Sequence, residues 1–462
     1  MEITLFGAAK TVTGSCYSIK TKKWNILVDC GMFQGAKELE RKNYEDFGFD
    51  PKDYHYLLLT HAHLDHCGRI PKLVKEGFKG KIYSTSATKD LTYVVLMDAA
   101  KIAFHDTINE NRKREQEGLP QREPIFTEGD VKTAMELFEV IDIEEKFQIN
   151  DHIVVKFYEA GHILGACCIQ MKIKEAKKET IVVFSGDIGQ AGTPIVKDLE
   201  IIGEADYVFI ESTYGDRLHP PVEERKNEFL KIIRDTYKRG GKLMIPSFAI
   251  ERTQELLYNL NEFAEKEIMP KMNVYLDSPM AIDATNIFIK HIEEYNKEVR
   301  DLVETGDNPF HFPGLIYTKT IEESKKIQEV TKPCIIIAGS GMCTAGRIKH
   351  HIRHNISNPH NTLLFVGYQA EGTLGYWIKN GEKKIRLLGH EVFVNAQIKS
   401  IDSFSGHADY KGLLNWLRYF IPKPKKVFIC HGEERSCKSF AEKVEKTGIK
   451  TYIPSLGEKL KL

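Results

Sequence analysis

No surplus of charge marks this chain: over 462 residues, Lys plus Arg number 65 and Asp plus Glu number 65. That excludes a broadly cationic nucleic-acid coat, though not a local basic groove. Long apolar runs are lacking too. The best candidate, Tyr93 to Phe104, is broken by Asp98 and Lys101 and falls short of the roughly 18 residues of a membrane span. No long apolar stretch follows Glu2 and Thr4, so nothing reads as a secretory signal. None of the nine cysteines forms a C-x-x-C pair. Several, such as Cys30 and Cys430, close apolar runs, which suits reduced core thiols in a cytoplasmic protein rather than a disulfide framework. Internal repeats and low-complexity tracts are absent.

What is present is an ordinary globular composition, 42% apolar and 10% aromatic, in a length that suits two or three domains. Short apolar runs bounded by turn residues read as buried strands: Ile26 to Val28, Tyr56 to Leu59, Ile153 to Val155, Ile181 to Phe184 and Tyr207 to Ile210. A helical stretch covers about 86 to 114. From Tyr214 the texture becomes α/β alternation, with strands at Lys242 to Ile245, Val274 to Leu276 and Cys334 to Ala338, which implies a second, parallel sheet. After about Leu374 the first texture returns, with strands near 391–394 and 426–430 and a helix near 409–420.

The densest chemistry lies in Thr60-His61-Ala62-His63-Leu64-Asp65-His66, directly after the run Tyr56 to Leu59. A strand would point alternate side chains apart and a helix would spread them around its surface. A tight loop brings them together, and imidazole with carboxylate is a donor set that suits zinc. His162, Asp187 and His407 sit in matching contexts, each beside a glycine (Gly161, Gly186, Gly406).

This pattern, His61-x-His63-x-Asp65-His66 followed by His162, Asp187 and His407, resembles the metallo-β-lactamase superfamily. The inserted α/β segment and Ser405-Gly406-His407-Ala408-Asp409 narrow the resemblance to its β-CASP nuclease branch, over nearly the whole chain. Asp29 in Leu27-Val28-Asp29-Cys30-Gly31 and Glu211 in Glu211-Ser212-Thr213-Tyr214-Gly215 look like further motifs of the family. So do Pro246-Ser247-Phe248-Ala249, Asp277-Ser278-Pro279-Met280-Ala281, Gly339-Ser340-Gly341-Met342, Glu371-Gly372-Thr373-Leu374 and His431-Gly432-Glu433. The resemblance implies an αββα sandwich from residues 1–212 and 376–462, a β-CASP α/β domain at 213–375, and an active site in the cleft between them. It also implies two Zn²⁺ per chain: one on His61, His63 and His162, the other on Asp65, His66 and His407, with Asp187 and a hydroxide bridging them. Asp29 and Glu211 would orient the ligand imidazoles. The implied reaction is hydrolysis of single-stranded RNA phosphodiesters, endonucleolytic, with Asp65, Asp187, Glu211 and His407 as the catalytic groups. No membrane partner is implied, and a homodimer is left open.

One departure bears on the substrate. Where RNA-cleaving members carry a histidine shortly after Glu-Gly-Thr-Leu, this chain has Trp377. DNA-processing relatives tend to be apolar there, so a DNA nuclease is one alternative; a thioester or lactam hydrolase is another. Gly339-Ser340-Gly341 reads either as a phosphate cradle or as a tight turn. Ser278 and Arg252 are further candidates for RNA contact. His431 reads as a phosphate ligand, an orienting residue or a structural turn. Arg347 to His354 reads as a basic helix surface, with RNA-backbone contact and a metal site as alternatives.

Overall fold

The computed structural model describes residues 1–143, 145–176, 178–401 and 404–462 and, for residues 222 and 223, the backbone alone. It divides into two compact units. The first comprises Met1–Ala191, Asp198–Leu218 and His407–Leu462; the second comprises Gly192–Lys197 and His219–Gly406.

The first unit holds two seven-stranded sheets. In spatial order, one runs Lys459–Lys461, Glu2–Leu5, Tyr17–Lys20, Asn25–Val28, Tyr56–Leu58, Lys81–Ser84, Phe138–Val140. The other runs Thr451–Tyr452, Lys426–Ile429, Tyr207–Ile210, Lys178–Phe184, Cys167–Glu175, Ile153–Glu159, Lys146–Asn150. Apolar residues of both sheets meet in one core. Ile3, Ile19, Ile26 and Leu58 face Val155, Ile169, Met171 and Phe209, the arrangement expected when each sheet has one apolar face to bury. Phe184, Phe209 and Phe428 stack across three neighbouring strands, with centroids 4.9 and 4.5 Å apart and planes within 12°. The helix Glu434–Glu445 packs on one sheet and the long helix Ser86–Gln116 on the other. Among the described residues, no helix is long and apolar enough to cross a membrane.

The second unit is built on a six-stranded sheet, ordered Leu315–Tyr317, Asn273–Leu276, Cys334–Ala338, Leu243–Pro246, Thr362–Phe365, Gln397–Ser400. All its pairings are parallel. Its central strands Leu243–Pro246 and Cys334–Ala338 are buried at every position, which explains their unbroken apolar sequence. Residues 376–406, which the sequence assigns to the sandwich, belong to this unit. The physical reason is twofold. Gln397–Ser400 pairs in parallel with Thr362–Phe365. The hairpin Lys384–Leu387/His390–Phe393 brings Ile385, Leu387 and Val392 into the same core as Ile352 and Phe365.

Candidate metal centre

After the strand Tyr56–Leu58 the chain runs on to His63, whose extended backbone (φ −66°, ψ 147°) precedes the one-turn helix Leu64–Cys67. An extended segment followed by a single helical turn folds positions 61, 63, 65 and 66 onto one another. The turn is clamped by the segment 15–32. Cys30 N–H donates to His66 O at 2.8 Å, Ser15 N–H to Asp65 O at 2.8 Å and Met32 N–H to Leu64 O at 2.9 Å. Gly31 is required there, because a Cβ would stand 1.6 Å from Asp65 O. Asp29, beside it, holds a left-handed backbone (φ 59°), a strained conformation of the kind that clusters at functional sites.

The opposite sheet supplies the remaining donors. Lys178–Phe184, Tyr207–Ile210 and Lys426–Ile429 are parallel neighbours. Asp187, Glu211 and His431 follow their carboxyl ends. His162 follows Ile153–Glu159, which runs in the same direction two strands further on. His407 is tied in by a bridge to Gly189 and by the Ala408 N–H donated to Ile188 O at 2.7 Å.

These side chains form three groups of donor atoms, each within 4.8 Å: His61, His63, His162 and Asp187; Asp65, His66, Asp187 and His431; and Asp187, Glu211 and His407. Asp187 Oδ2 lies 3.5 Å from His61 Nε2 and 3.6 Å from His162 Nε2. Asp187 Oδ1 lies 3.3 Å from His66 Nε2 and 3.5 Å from His431 Nδ1. His431 Nε2 is 3.4 Å from Asp65 Oδ2 and 3.2 Å from His66 Nε2. The sequence assigns His407 to the set with Asp65 and His66; in the structure His431 stands there. His407 instead pairs with Glu211, Nδ1 to Oε1 at 3.0 Å, with Nε2 3.9 Å from Asp187 Oδ2. The reason is strand order: His431 ends the strand next to the one that precedes Glu211, a neighbourhood that is invisible in the linear chain. The signal available was an apolar run ending in His-Gly, the same kind of context as that of His61 and Asp187.

The donor set fits a cation. His63 Nδ1 lies 3.2 Å from His61 Nε2 and 3.1 Å from His162 Nε2, and one proton serves at most one of these two contacts. Asp187 Oδ1 is buried with no hydrogen bond among the described residues. Burial, reinforced by His61, pushes the His63 pKa down to about 3. Burial and His407 drive His162 well below its ordinary value. Three neutral rings and a carboxylate thus turn lone pairs toward one spot. Burial opposes charge on His66 and His407 as well, but carboxylates outweigh it. Asp187 and Asp29 raise His66, and Glu211 and Asp187 hold His407 up at about 9. Burial would also raise Asp187, yet His431, His66 and His407 keep it well below the usual carboxylate range.

Around these donors lies a fixed hydrogen-bonded frame. Buried Asp29 accepts from Thr60 N–H at 2.9 Å, from Thr60 Oγ1 at 3.0 Å and from His66 Nδ1 at 2.7 Å. Thr60 Oγ1 also lies 3.0 Å from His61 Nδ1. Glu211 Oε1 accepts from Ile188 N–H at 2.8 Å. Each such contact sets which ring nitrogen carries the proton and leaves the other free.

The other sequence candidates lie in the second unit, in contacts of their own. Arg252 is buried and packed over Phe404 at 5.8 Å, and it shares the buried carboxylate of Glu255 with Arg225, so its guanidinium is held inside the unit. Ser278 caps the helix Pro279–Lys290 by accepting from Ala281 N–H. Ser340 Oγ accepts from Thr344 and Ala345 N–H at 3.1 and 3.2 Å, which makes the 339–346 segment a held turn. Trp377 lies on the helix Leu374–Lys379.

Family comparisons match three segments of the chain. The metallo-β-lactamase superfamily model matches residues 9–239, the Beta-Casp domain 253–378, and the Zn-dependent metallo-hydrolase RNA specificity domain 391–454. Ribonuclease TTHA0252 of Thermus thermophilus is 37% identical over 99% of both chains. Transcription termination factor FttA of Methanocaldococcus jannaschii is 33% identical over 98% of this chain and 70% of its own. An RNase J-like protein from the same organism is 34% identical over 98% and 97%. Among solved structures, a protein of unknown function from Enterococcus faecalis shares the fold at TM-score 0.55 and 14% identity, over 99% of each chain. Motifs, architecture and full-length relatives coincide: the chain belongs to the β-CASP family of the metallo-β-lactamase superfamily.

Proposed function

We propose that this protein is a zinc-dependent ribonuclease that cuts single-stranded RNA endonucleolytically. His61, His63, His162 and Asp187 would hold one ion, and Asp65, His66, His431 and Asp187 the second. The observation that carries this reading is the Asp187 carboxylate, whose two oxygens face two different donor groups. All donors are nitrogen or oxygen, which suits zinc, and a full-length relative is named a ribonuclease.

Divalent ions in these positions supply Lewis acidity toward a phosphodiester and a nucleophilic oxygen from water near neutral pH. The chain supplies the rest. Asp29 accepts from His66 Nδ1 and Thr60 Oγ1 accepts from His61 Nδ1, so Nε2 of each ring is the nitrogen that would hold an ion, displacing from His66 the proton that the nearby carboxylates favour. Glu211 holds a proton on His407 Nδ1. His407 Nε2, on the Asp187 side of the ring, is then the nitrogen placed to give a proton to the leaving group. As water oxygen attacks phosphorus and the P–O3′ bond breaks, that proton goes to O3′ and a 5′ phosphate remains. A positioned acid of this kind is worth about 10²–10⁴-fold. Because His407 fills the role, Trp377 gives no reason to prefer DNA. The nine cysteines, all buried and none in a disulfide among the described residues, suit a reducing, cytoplasmic compartment.

The test is digestion of single-stranded RNA labelled at either end, alongside a matched DNA. Internal cuts in RNA that stop on chelation and return with zinc are expected. Release of terminal nucleotides only, or cleavage confined to DNA, would overturn the reading.

A further inference from the structure

Strands Leu243–Pro246, Asn273–Leu276 and Cys334–Ala338 lie side by side and parallel, and their carboxyl ends lead into Ser247-Phe248, Asp277-Ser278 and Gly339-Ser340-Gly341. The chain leaves Asn273–Leu276 toward Leu315–Tyr317 on one side, and leaves Cys334–Ala338 toward Thr362–Phe365 on the other. A crevice beyond the carboxyl ends at such a divergence is where open parallel sheets take ligands.

One aromatic ring stands exposed at this edge, and a second is held by a loop that leaves it. Phe248 is 41% exposed, although Ser247, Ala249 and Ile250 around it are buried. Its ring rests on Gly341: a Cβ there would lie 2.6 Å from ring Cδ2, so only glycine leaves the ring its place. The same loop holds the helix that bears the second ring. Gly341 O accepts from Gln369 Nε2 at 3.0 Å, and Met342 O accepts from Gly375 N–H at 3.2 Å. Gly375 opens the short helix on which Trp377, 49% exposed, follows two positions later. Trp377 forms a T-shaped pair with Tyr376, with centroids 5.7 Å apart at 85°. One glycine loop therefore touches the first ring directly and holds, through a backbone hydrogen bond, the helix that carries the second, and both rings stay partly exposed.

We infer that Phe248 and Trp377 are stacking platforms for unpaired bases of the RNA substrate. Unpaired bases present flat π-faces of any sequence to such rings; paired bases bury theirs. The inference rests on the ribonuclease reading and adds to it the feature of RNA that is recognised, an unstacked base.

The experiment uses the zinc-loaded full chain and a single-stranded RNA. KM and kcat are measured for wild type, Phe248→Ala, Phe248→Leu, Trp377→Ala, Phe248→Tyr and Trp377→Phe. Each alanine variant should raise KM by about 5- to 150-fold, the worth of one stacked base, with kcat within about two-fold. Leucine at 248 should fail like alanine; the aromatic replacements should restore KM. Unchanged KM in both alanine variants, or equal loss in the aromatic replacements, would overturn the platforms while leaving the nuclease in place. A wild type that neither binds nor cuts RNA would remove the ribonuclease reading and this inference with it.

Discussion

His66 Nδ1 lies 2.7 Å from the carboxylate of Asp29, both side chains fully withdrawn from solvent. This contact orients a ring whose other nitrogen points into the donor cluster, and Asp29 pays for it with a left-handed backbone. Asp29→Asn therefore should weaken metal binding by about 10–100-fold, the usual effect of losing a ligand's hydrogen-bond partner, while the sheets stay folded. Competition with a chelator, followed beside circular dichroism, checks this.

His431 and His407 should separate when each is replaced by alanine. His431→Ala removes a donor from the Asp65–His66 group and should lower the number of ions held. His407→Ala should leave ion binding nearly intact and lower kcat by about 10²–10⁴-fold. Metal content and single-turnover cleavage of the two variants decide the matter, and the opposite pattern would return His407 to the ligand set.

The second unit carries its own titration. Asp277 is held at a pKa of about 2: burial would raise it, but hydrogen bonds from His351, Ser324, Thr318 and Arg347 outweigh that effect. A carboxyl depressed in the folded state stabilises it above its ordinary value near 4, and that stability is lost as pH falls toward 2. Unfolding followed between pH 5 and pH 2 should show this loss, and Asp277→Asn should remove it along with about 1–3 kcal/mol at neutral pH.

Much of the site was legible because its key segment is local. His61 to His66 lie within one loop, and a strand followed by one helical turn is readable from the apolar run and the polar cluster after it. Non-local choices were not legible. Whether His407 or His431 meets Asp65 depends on Lys426–Ile429 pairing in parallel with Tyr207–Ile210, and no feature of either segment names its neighbour. The same holds for residues 376–406, whose apolar positions suit either core until Gln397–Ser400 is seen beside Thr362–Phe365. Arg252 misleads for a related reason: an arginine in a motif invites a phosphate, but here it is buried and bound to Glu255, a carboxylate it shares with Arg225.

The most direct test of the shared carboxylate is metal analysis of Asp187→Ala against wild type after equilibration with zinc, read together with RNA cleavage. The account predicts two ions per wild-type chain, fewer in the variant, and no cleavage by the variant despite a folded chain. A variant that keeps two ions and cuts RNA at the wild-type rate would contradict it.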